Sequence, residues 1–214
     1  MVGAQDAFAR AMSTLPLVAI LRGVRPDEVV GIADALMAAG FTLIEVPLNS
    51  PDPFDSIARL VDHCPDDVVV GAGTVLSVAD AERLGTIGAR LMVTPIIDPE
   101  VVRAATDAGL ATAIGCMTPG EVFTAINAGA TAVKIFPANA LPIRYAADLK
   151  AVMPRRCPVL AVGGVGAGDF AAYTAGGYDG FGLGSSLYAP GLAADEVGAR
   201  AAAVVAAWRQ VEGS

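Results

Sequence analysis

The chain has 214 residues, of which 54% are hydrophobic and 17% charged, and its formal net charge is −8. Non-specific nucleic-acid binding needs a basic face, so this balance argues against it, but a small anionic ligand can still be held by a locally positive site or by backbone amides. No apolar run of about 18 residues is free of charges, prolines and glycines, so no membrane span is expected. The N-terminus shows no secretory signal, which makes the cytoplasm the default expectation.

Apolar, β-branched runs alternate with segments in which apolar residues recur every three or four positions. The runs predict strands at 17–22, 42–48, 68–74, 91–94, 111–116, 132–136, 159–162 and 180–184. The segments between them predict helices at 4–12, 26–39, 53–63, 77–87, 98–108, 118–128, 145–153, 167–175 and 194–211. Thr118 and Glu121 are spaced as in a capping box. Five glycines stand where helices should end: Gly40, Gly88, Gly109, Gly129 and Gly176.

Eight strand–helix units predict an α/β fold with an all-parallel sheet, and their number favours a (β/α)8 TIM barrel with a short N-terminal capping helix. No linker or break in composition appears, so residues 1–214 are expected to form one domain. A doubly wound open sheet is the alternative. Its dinucleotide-binding motif G-x-G-x-x-G is not satisfied at 163–168, because Asp169 stands where the last glycine is needed.

Lys134 lies in the middle of an apolar run, Ala132-Val-Lys-Ile-Phe136, in a chain whose only other lysine is Lys150. Lysine is almost never fully buried unless it is paired, and desolvation lowers its pKa toward that of a neutral, nucleophilic amine. Lys134 is therefore a candidate for Schiff-base formation. The structural alternative is a core lysine held by a salt bridge or facing a water-filled cavity.

Glu45 is a second charged residue inside an apolar run, Leu43-Ile-Glu-Val-Pro47. Burial raises the pKa of an unpaired carboxyl group, which suits proton transfer near neutral pH. The alternative is a structural ion pair, for which Lys134 is one possible partner. The two interpretations are compatible, because a nearby carboxylate would also orient the lysine.

In a TIM barrel the active site lies at the C-terminal ends of the strands. Polar residues at or just after these ends are predicted to form one ring: Arg22, Glu45, Asn49, Thr74, Thr94 and Lys134. The last two strands end in glycine-rich segments that suit phosphate binding by backbone amides, and these contribute Gly163, Gly164, Gly184 and Ser185. The alternatives are tight turns for the glycines, a surface position for Arg22 and an ordinary strand role for the two threonines.

The remaining reactive side chains are few. Cys64, Cys116 and Cys157 are scattered and odd in number, which favours reduced, structural cysteines. His63 is the only histidine, so a histidine-based triad or zinc site is not expected, and no metal-binding cluster is predicted.

Six segments in order resemble the class I aldolases that act on 2-keto-3-deoxy-6-phospho sugar acids: Leu21-Arg-Gly23, Glu45-Val-Pro-Leu-Asn-Ser-Pro51, Gly71-Ala-Gly-Thr-Val75, Lys134-Ile-Phe-Pro137, Val162-Gly-Gly-Val165 and Gly184-Ser185. The resemblance implies a homotrimeric barrel enzyme with neither metal nor organic cofactor. It also implies that Lys134 forms the Schiff base and that Glu45 is the general acid and base. Thr74 would lie by the pyruvyl end, and the glycine-rich ends with Ser185 would hold the phosphate.

One departure bears on the substrate. Gluconate-specific members of this family resemble Glu-Val-Thr-Leu-Arg in the second segment, whereas this chain has Asn49 in place of that arginine. It thereby resembles the galactonate-specific branch, in which Arg22 could bind the carboxylate instead. The expected reaction is cleavage of 2-dehydro-3-deoxy-6-phosphogalactonate to pyruvate and glyceraldehyde 3-phosphate, with the gluconate epimer as the alternative substrate. A phosphosugar isomerase or synthase and a non-catalytic phospholigand-binding barrel are the rival classes.

Overall fold

The computed structural model describes residues 3–154 and 157–213. Across these residues, eight parallel strands pair in chain order and β8 pairs with β1, so the predicted closed barrel is confirmed. The strands are β1 (Leu17–Ile20), β2 (Leu43–Pro47), β3 (Val69–Gly73), β4 (Leu91–Thr94), β5 (Ala111–Cys116), β6 (Ala132–Ile135), β7 (Val159–Val162) and β8 (Gly180–Leu183).

The helices alternate with the strands, and one precedes β1. They are α1 (Ala4–Thr14), α2 (Val29–Ala39), α3 (Pro53–His63), α4 (Val78–Thr86), α5 (Pro99–Asp107), α6 (Pro119–Asn127), α7 (Tyr145–Lys150), α8 (Phe170–Ala175) and α9 (Ala194–Glu212). None of the helices in the described ranges combines the length and the apolar character needed to cross a membrane.

Most helix ends follow the local signals in the sequence. The capping box is confirmed, since Thr118 Oγ1 accepts a hydrogen bond from Glu121 N and Glu121 Oε2 accepts one from Thr118 N. The predicted helix start at 26 is wrong. Residues 25–28 form a turn in which Arg25 N donates to Glu28 Oε1, and α2 begins at Val29. The predicted helix at 167–175 is split into a 3₁₀ turn, Ala167–Asp169, and α8.

Two apolar layers hold the barrel together. The outer layer lies between the strands and the surrounding helices, and Phe170, Phe181 and Trp208 stack there with ring centroids 4.6 to 5.9 Å apart. The inner cluster takes every second residue of several strands, for example Val18 and Ile20 of β1. Alternate residues of a strand face opposite sides, so this inner cluster fills the barrel axis.

Helix α1 closes the N-terminal end of the axis. Its Phe8 is only 1% exposed and belongs to the inner cluster, together with Leu43, Leu91 and Leu160 from three strands. These large side chains fill the lower part of the interior, which leaves no room there for a ligand. The predicted capping helix is therefore confirmed.

In the upper part of the interior, several inward-facing strand positions are glycines. The inward-facing strand positions above the inner cluster include Gly71 and Gly73 on β3, Gly115 on β5 and Gly182 on β8. A Cβ atom added at Gly71 would overlap the Leu91 carbonyl, so this strand pairing itself requires glycine. The missing side chains leave open space above the packed leucines, at the C-terminal end of the barrel.

Candidate active site

A cavity of about 470 Å³ opens at the C-terminal ends of the strands. Eight of the ten predicted site residues line it: Arg22, Glu45, Thr74, Lys134, Gly163, Gly164, Gly184 and Ser185. They come from six different strands or the loops that follow them, and the barrel brings them together as the sequence pattern predicts. Asn49 and Thr94 are not among the residues that line the cavity.

Lys134 points inward from β6, where its neighbours across the sheet are Gly115 on β5 and Leu160 on β7. Its side chain is 6% exposed. Burial lowers the pKa of Lys134 to about 8, with a smaller lowering from the nearby Arg22 guanidinium. The ammonium group also lies 5.0 Å from the centroid of the Phe136 ring. With this pKa an appreciable minority of the Lys134 side chains is neutral near physiological pH, and the neutral amine is a nucleophile.

Glu45 points inward from β2 and is 2% exposed. Burial raises the pKa of Glu45 to about 7, although Lys134 and Arg22 both act to lower it. A Cβ atom at Gly73 would overlap the Glu45 carboxyl group, so Gly73 provides the space for it. Within the described residues, Glu45 Oε2 has no hydrogen-bond partner. A carboxyl group with this pKa and an open oxygen can both accept and return a proton.

The structural alternative for these two residues was an ion pair. Among the residues that the structure describes, none of the ion pairs within 4.0 Å includes Lys134 or Glu45. The other lysine behaves differently, because Lys150 Nζ lies 2.6 Å from Asp179 Oδ1 in a partly exposed pair. The structure thus keeps the Lys134 amine available and holds Lys150 in a surface contact.

Thr74 follows β3 directly and has a φ of 56°, in the left-handed region that β-branched residues rarely adopt. Its neighbours fix the backbone on both sides, since Gly73 O accepts from Leu48 N and Val75 N donates to Val93 O. Backbone strain of this kind is concentrated at functional sites. Thr74 lines the same cavity as Lys134 and Glu45.

The glycine-rich ends of β7 and β8 form another part of the cavity wall. Gly163 and Gly164 have φ values of 92° and 71°, and a Cβ atom at either position would crowd Phe136 or Asn139. After β8, Gly184 O accepts hydrogen bonds from the amides of both Leu187 and Tyr188, so one helical turn begins there. The first amides of such a turn have no carbonyl partner within it and can bind an anion.

Arg22, Asn49 and Thr94 complete the predicted ring. The exposed Arg22 guanidinium lines the cavity and donates through Nη1 to Asn49 Oδ1 at 2.9 Å. Thr94 is buried, and its hydroxyl donates to the Ile96 carbonyl at 3.0 Å. The Thr94 side chain therefore supports the loop after β4, and Asn49 contacts the cavity only through Arg22.

The cysteines and the histidine lie apart from this chemistry. Burial raises the pKa of the Cys116 thiol to about 12 and that of the Cys64 thiol to about 11, which leaves both protonated and unreactive. His63, the last residue of α3, is partly exposed, and its Nε2 atom lies 2.7 Å from Asp34 Oδ1. Among the described residues, no three His, Cys, Asp or Glu side chains are grouped as potential metal ligands.

Several lining residues were not singled out as site residues from the sequence: Ile20, Pro95, Phe136, Val162, Val165, Gly166, Gly182 and Ser186. Apolar strand residues carry no chemical signal of their own. The position of Gly182 could have been found, because a glycine at an inward strand position marks open space or the close approach of another group.

A desolvated lysine beside a carboxyl group at the catalytic end of a parallel barrel is an arrangement suited to Schiff-base chemistry. The family model "Aldolase: KDPG and KHG aldolase" matches residues 8–197. The chain therefore belongs to the KDPG and KHG aldolase family, and it is an aldolase, a carbon–carbon lyase.

Two curated relatives and one solved structure are similar over nearly the whole chain. A protein of Rhizobium meliloti, described as a probable 2-dehydro-3-deoxy-6-phosphogalactonate aldolase, is 48% identical over 92% of this chain and 93% of its own length. The 2-dehydro-3-deoxy-6-phosphogalactonate aldolase of Escherichia coli is 45% identical over 92% of this chain and 96% of its own. A structure described as "Native KDPGal structure" is 44% identical, covers 94% of this chain and 97% of its own, and has a TM-score of 0.91.

The pKa shifts predict how stability depends on pH. The pKa of Glu45 is about 7 in the folded protein against an ordinary 4.5, so from pH 4.5 to 7 the folded state holds the extra proton and the free energy of unfolding falls as pH rises. The pKa of Lys134 is about 8 against 10.5, so between these values the unfolded state holds the extra proton and the free energy of unfolding rises with pH. We expect the free energy of unfolding to change by about 1–3 kcal/mol in total over each of these two pH ranges.

Urea unfolding of Glu45→Gln, Lys134→Met and the unmodified protein across pH 4.5–10.5 tests this. The Glu45 variant should lose the acidic slope and the Lys134 variant the alkaline slope, with Lys150→Met as the control that keeps both. Each variant is compared with the unmodified protein at the same pH, because the buried thiols Cys64 and Cys116 oppose the alkaline slope above pH 9. An unchanged alkaline slope in Lys134→Met would contradict the assignment.

Proposed function

We propose that this aldolase cleaves 2-dehydro-3-deoxy-6-phosphogalactonate to pyruvate and D-glyceraldehyde 3-phosphate through a Schiff base on Lys134. The observation that carries the proposal is the buried Lys134 amine, without an ion-pair partner among the described residues, at the base of a cavity that also holds Glu45. The substrate is supported by the names of the two curated relatives and by Asn49 in the second strand's loop.

In the first half of the reaction, neutral Lys134 attacks the C2 ketone of the substrate and forms a carbinolamine. Glu45 gives a proton to the C2 hydroxyl group, water leaves, and an iminium ion remains. The pKa values of about 8 and about 7 suit these roles, because one group must be unprotonated to attack and the other must exchange protons readily.

In the second half, the positive iminium nitrogen accepts the electron pair of the C3–C4 bond. Glu45, directly or through a water molecule, removes the proton of the C4 hydroxyl group, and glyceraldehyde 3-phosphate leaves. The enamine that remains is protonated at C3, and water hydrolyses the iminium to release pyruvate and free Lys134. Atoms and charges balance at each step without a metal or an organic cofactor.

The two ends of the substrate are assigned to different parts of the cavity. We place the carboxylate near Arg22 and Thr74, and the phosphate at Gly163, Gly164, Gly184 and Ser185. The exposed guanidinium supports the first assignment, because Arg binds a carboxylate through two parallel hydrogen bonds. The helical turn that begins at Gly184 supports the second. A phosphorylated substrate of this kind is charged and confined to cells, and we propose a cytoplasmic location on that ground.

Borohydride trapping tests the Schiff base. Incubation with pyruvate and sodium borohydride should inactivate the enzyme and add the pyruvate carbons to Lys134, as read by peptide mass spectrometry. Lys134→Met should not be labelled and should lose at least about 10³-fold in kcat, because the covalent route is gone. Lys150→Met is the matched control and should be labelled normally. A label on Lys150 in the unmodified protein would disprove the assignment.

The substrate is tested by a lactate-dehydrogenase-coupled assay for pyruvate, run in parallel on the galactonate and gluconate 6-phospho substrates. We expect release mainly from the galactonate epimer. A preference for the gluconate epimer would keep the mechanism and reject the substrate assignment. No pyruvate from either epimer, with a folded protein, would reject both substrates.

We also propose that the enzyme is a homotrimer whose interface includes the rim of the cavity. Four consecutive loops, those after β3 to β6, each expose a large apolar side chain: Leu76 (52%), Ile96 (55%), Met117 (40%) and Phe136 (36%). Neighbouring strands in a barrel place their loops side by side, so these side chains form an apolar strip. Strips of this kind mark protein–protein contacts.

Sedimentation velocity of the double variant Leu76→Asp/Ile96→Asp tests the interface. We expect the unmodified protein to sediment as a trimer and the variant as a monomer, because two carboxylates would be buried without partners. Val152→Asp is the matched control, since Val152 is 66% exposed but follows α7 toward the opposite end of the barrel. A monomeric unmodified protein, or a trimeric double variant, would contradict the proposal.

A further inference from the structure

Two adjacent hydrogen bonds join the loops after β1 and β2. Arg22 Nη1 donates to Asn49 Oδ1, and Gly23 N donates to Ser50 Oγ, both at 2.9 Å. Ser50 is buried, at 8% exposed, whereas Asn49 is exposed. Asn49 and Ser50 of the loop after β2 therefore hold Arg22 and Gly23 of the loop after β1. The first contact restrains the Arg22 guanidinium, and the second restrains the backbone at Gly23.

A third contact restrains the same loop from the other side. Gly23 has a φ of 84°, and a Cβ atom at this position would overlap the Pro190 ring after β8. The loop that carries Arg22 is thus packed between the segments that follow β2 and β8. Its backbone has little freedom, so the remaining freedom of Arg22 is that of its side chain, and the described contact on that side chain is Asn49.

The partner of the Arg22 guanidinium is a neutral amide. Three residues further along the chain, Arg25 is paired with two carboxylates, those of Asp27 at 3.1 Å and Glu28 at 3.3 Å. Among the described residues, none of the ion pairs within 4.0 Å includes Arg22. An amide oxygen accepts one N–H of the guanidinium and leaves its full positive charge for a ligand.

We propose that Asn49 is a positioning residue that holds the Arg22 guanidinium toward the cavity for the substrate carboxylate without neutralising it. Asn49 itself makes no contact with the substrate. This replaces the expectation from the sequence, in which Asn49 was one of the substrate-binding residues. The inference rests on the proposed function only in that the ligand of Arg22 is taken to be a carboxylate.

A double-mutant cycle separates positioning from direct contact, because residues that act as one unit are not additive. The cycle uses Asn49→Ala, Arg22→Ala and the double variant, with KM and kcat for the 6-phospho sugar acid. We expect Asn49→Ala to raise KM about 5–10-fold with kcat nearly unchanged, which corresponds to the loss of one ordinary hydrogen bond. Once Arg22 is absent, removal of Asn49 should change KM by less than about 2-fold. Additive effects would overturn the proposal.

The variant Asn49→Asp tests the need for a neutral partner. It keeps the acceptor oxygen, so a merely structural link between the loops would be preserved and KM would stay at its normal value. If the charge of Arg22 must remain available, the new carboxylate will neutralise it and raise KM at least as much as Asn49→Ala does. A normal KM in Asn49→Asp would therefore overturn the proposal.

Ser50→Ala is the matched control for the loops. It removes the neighbouring hydrogen bond to Gly23 without touching the guanidinium, and we expect it to raise KM less than Asn49→Ala does. An equal rise would assign the effect to the backbone and would also overturn the proposal.

Calorimetric binding of pyruvate to the same proteins repeats the cycle without turnover. If the unmodified protein binds pyruvate but cleaves neither sugar acid, the proposed function fails while the pyruvate cycle still decides the role of Asn49. If Asn49→Ala changes the affinity for pyruvate equally in the presence and in the absence of Arg22, the positioning role of Asn49 is overturned. The absence of any response of pyruvate affinity to Arg22→Ala would overturn it.

Discussion

The burial of two opposite titratable groups, Lys134 and Glu45, in the upper barrel is the constraint on which the site depends. Water would stabilise both charges, and its exclusion lowers the pKa of Lys134 to about 8 and raises that of Glu45 to about 7. Both values lie close to neutral pH, so each group can gain or lose a proton readily there. A fully exposed pair could not provide this, since its pKa values would stay near 10 and 4.

The barrel supplies that environment through a simple division of its interior. Large side chains such as Leu43 and Leu91 fill the lower part, and α1 closes it with Phe8. Above them, several inward positions are taken by glycines, among which Gly73 provides the space for the Glu45 carboxyl group. The same alternation of strand residues therefore gives stability at one end and an open cavity at the other.

The fold and the inward positions of Lys134 and Glu45 could be predicted because they follow from periodicity. Strand alternation places Lys134 and Glu45 inward whatever the loops do, and eight repeats close a barrel. The roles of Asn49 and Thr94 could not be predicted in this way. Asn49 is hydrogen-bonded to Arg22 in a different loop, and Thr94 to the nearby Ile96 carbonyl. Such partners depend on loop conformations that the sequence pattern does not specify.

Charge explains why the partner of Arg22 matters in this protein. The chain carries a net charge of −8, so an anionic substrate is repelled by the surface as a whole. Salt screens that repulsion beyond about 8 Å, and the charges of the cavity dominate at shorter range. There the pKa of Lys134 is about 8 and that of Glu45 about 7, so near neutral pH the amine is mostly protonated while the carboxyl group is only partly ionised. Arg22 adds a second positive charge to the cavity, and its hydrogen-bond partner Asn49 is a neutral amide that leaves this charge available for a ligand.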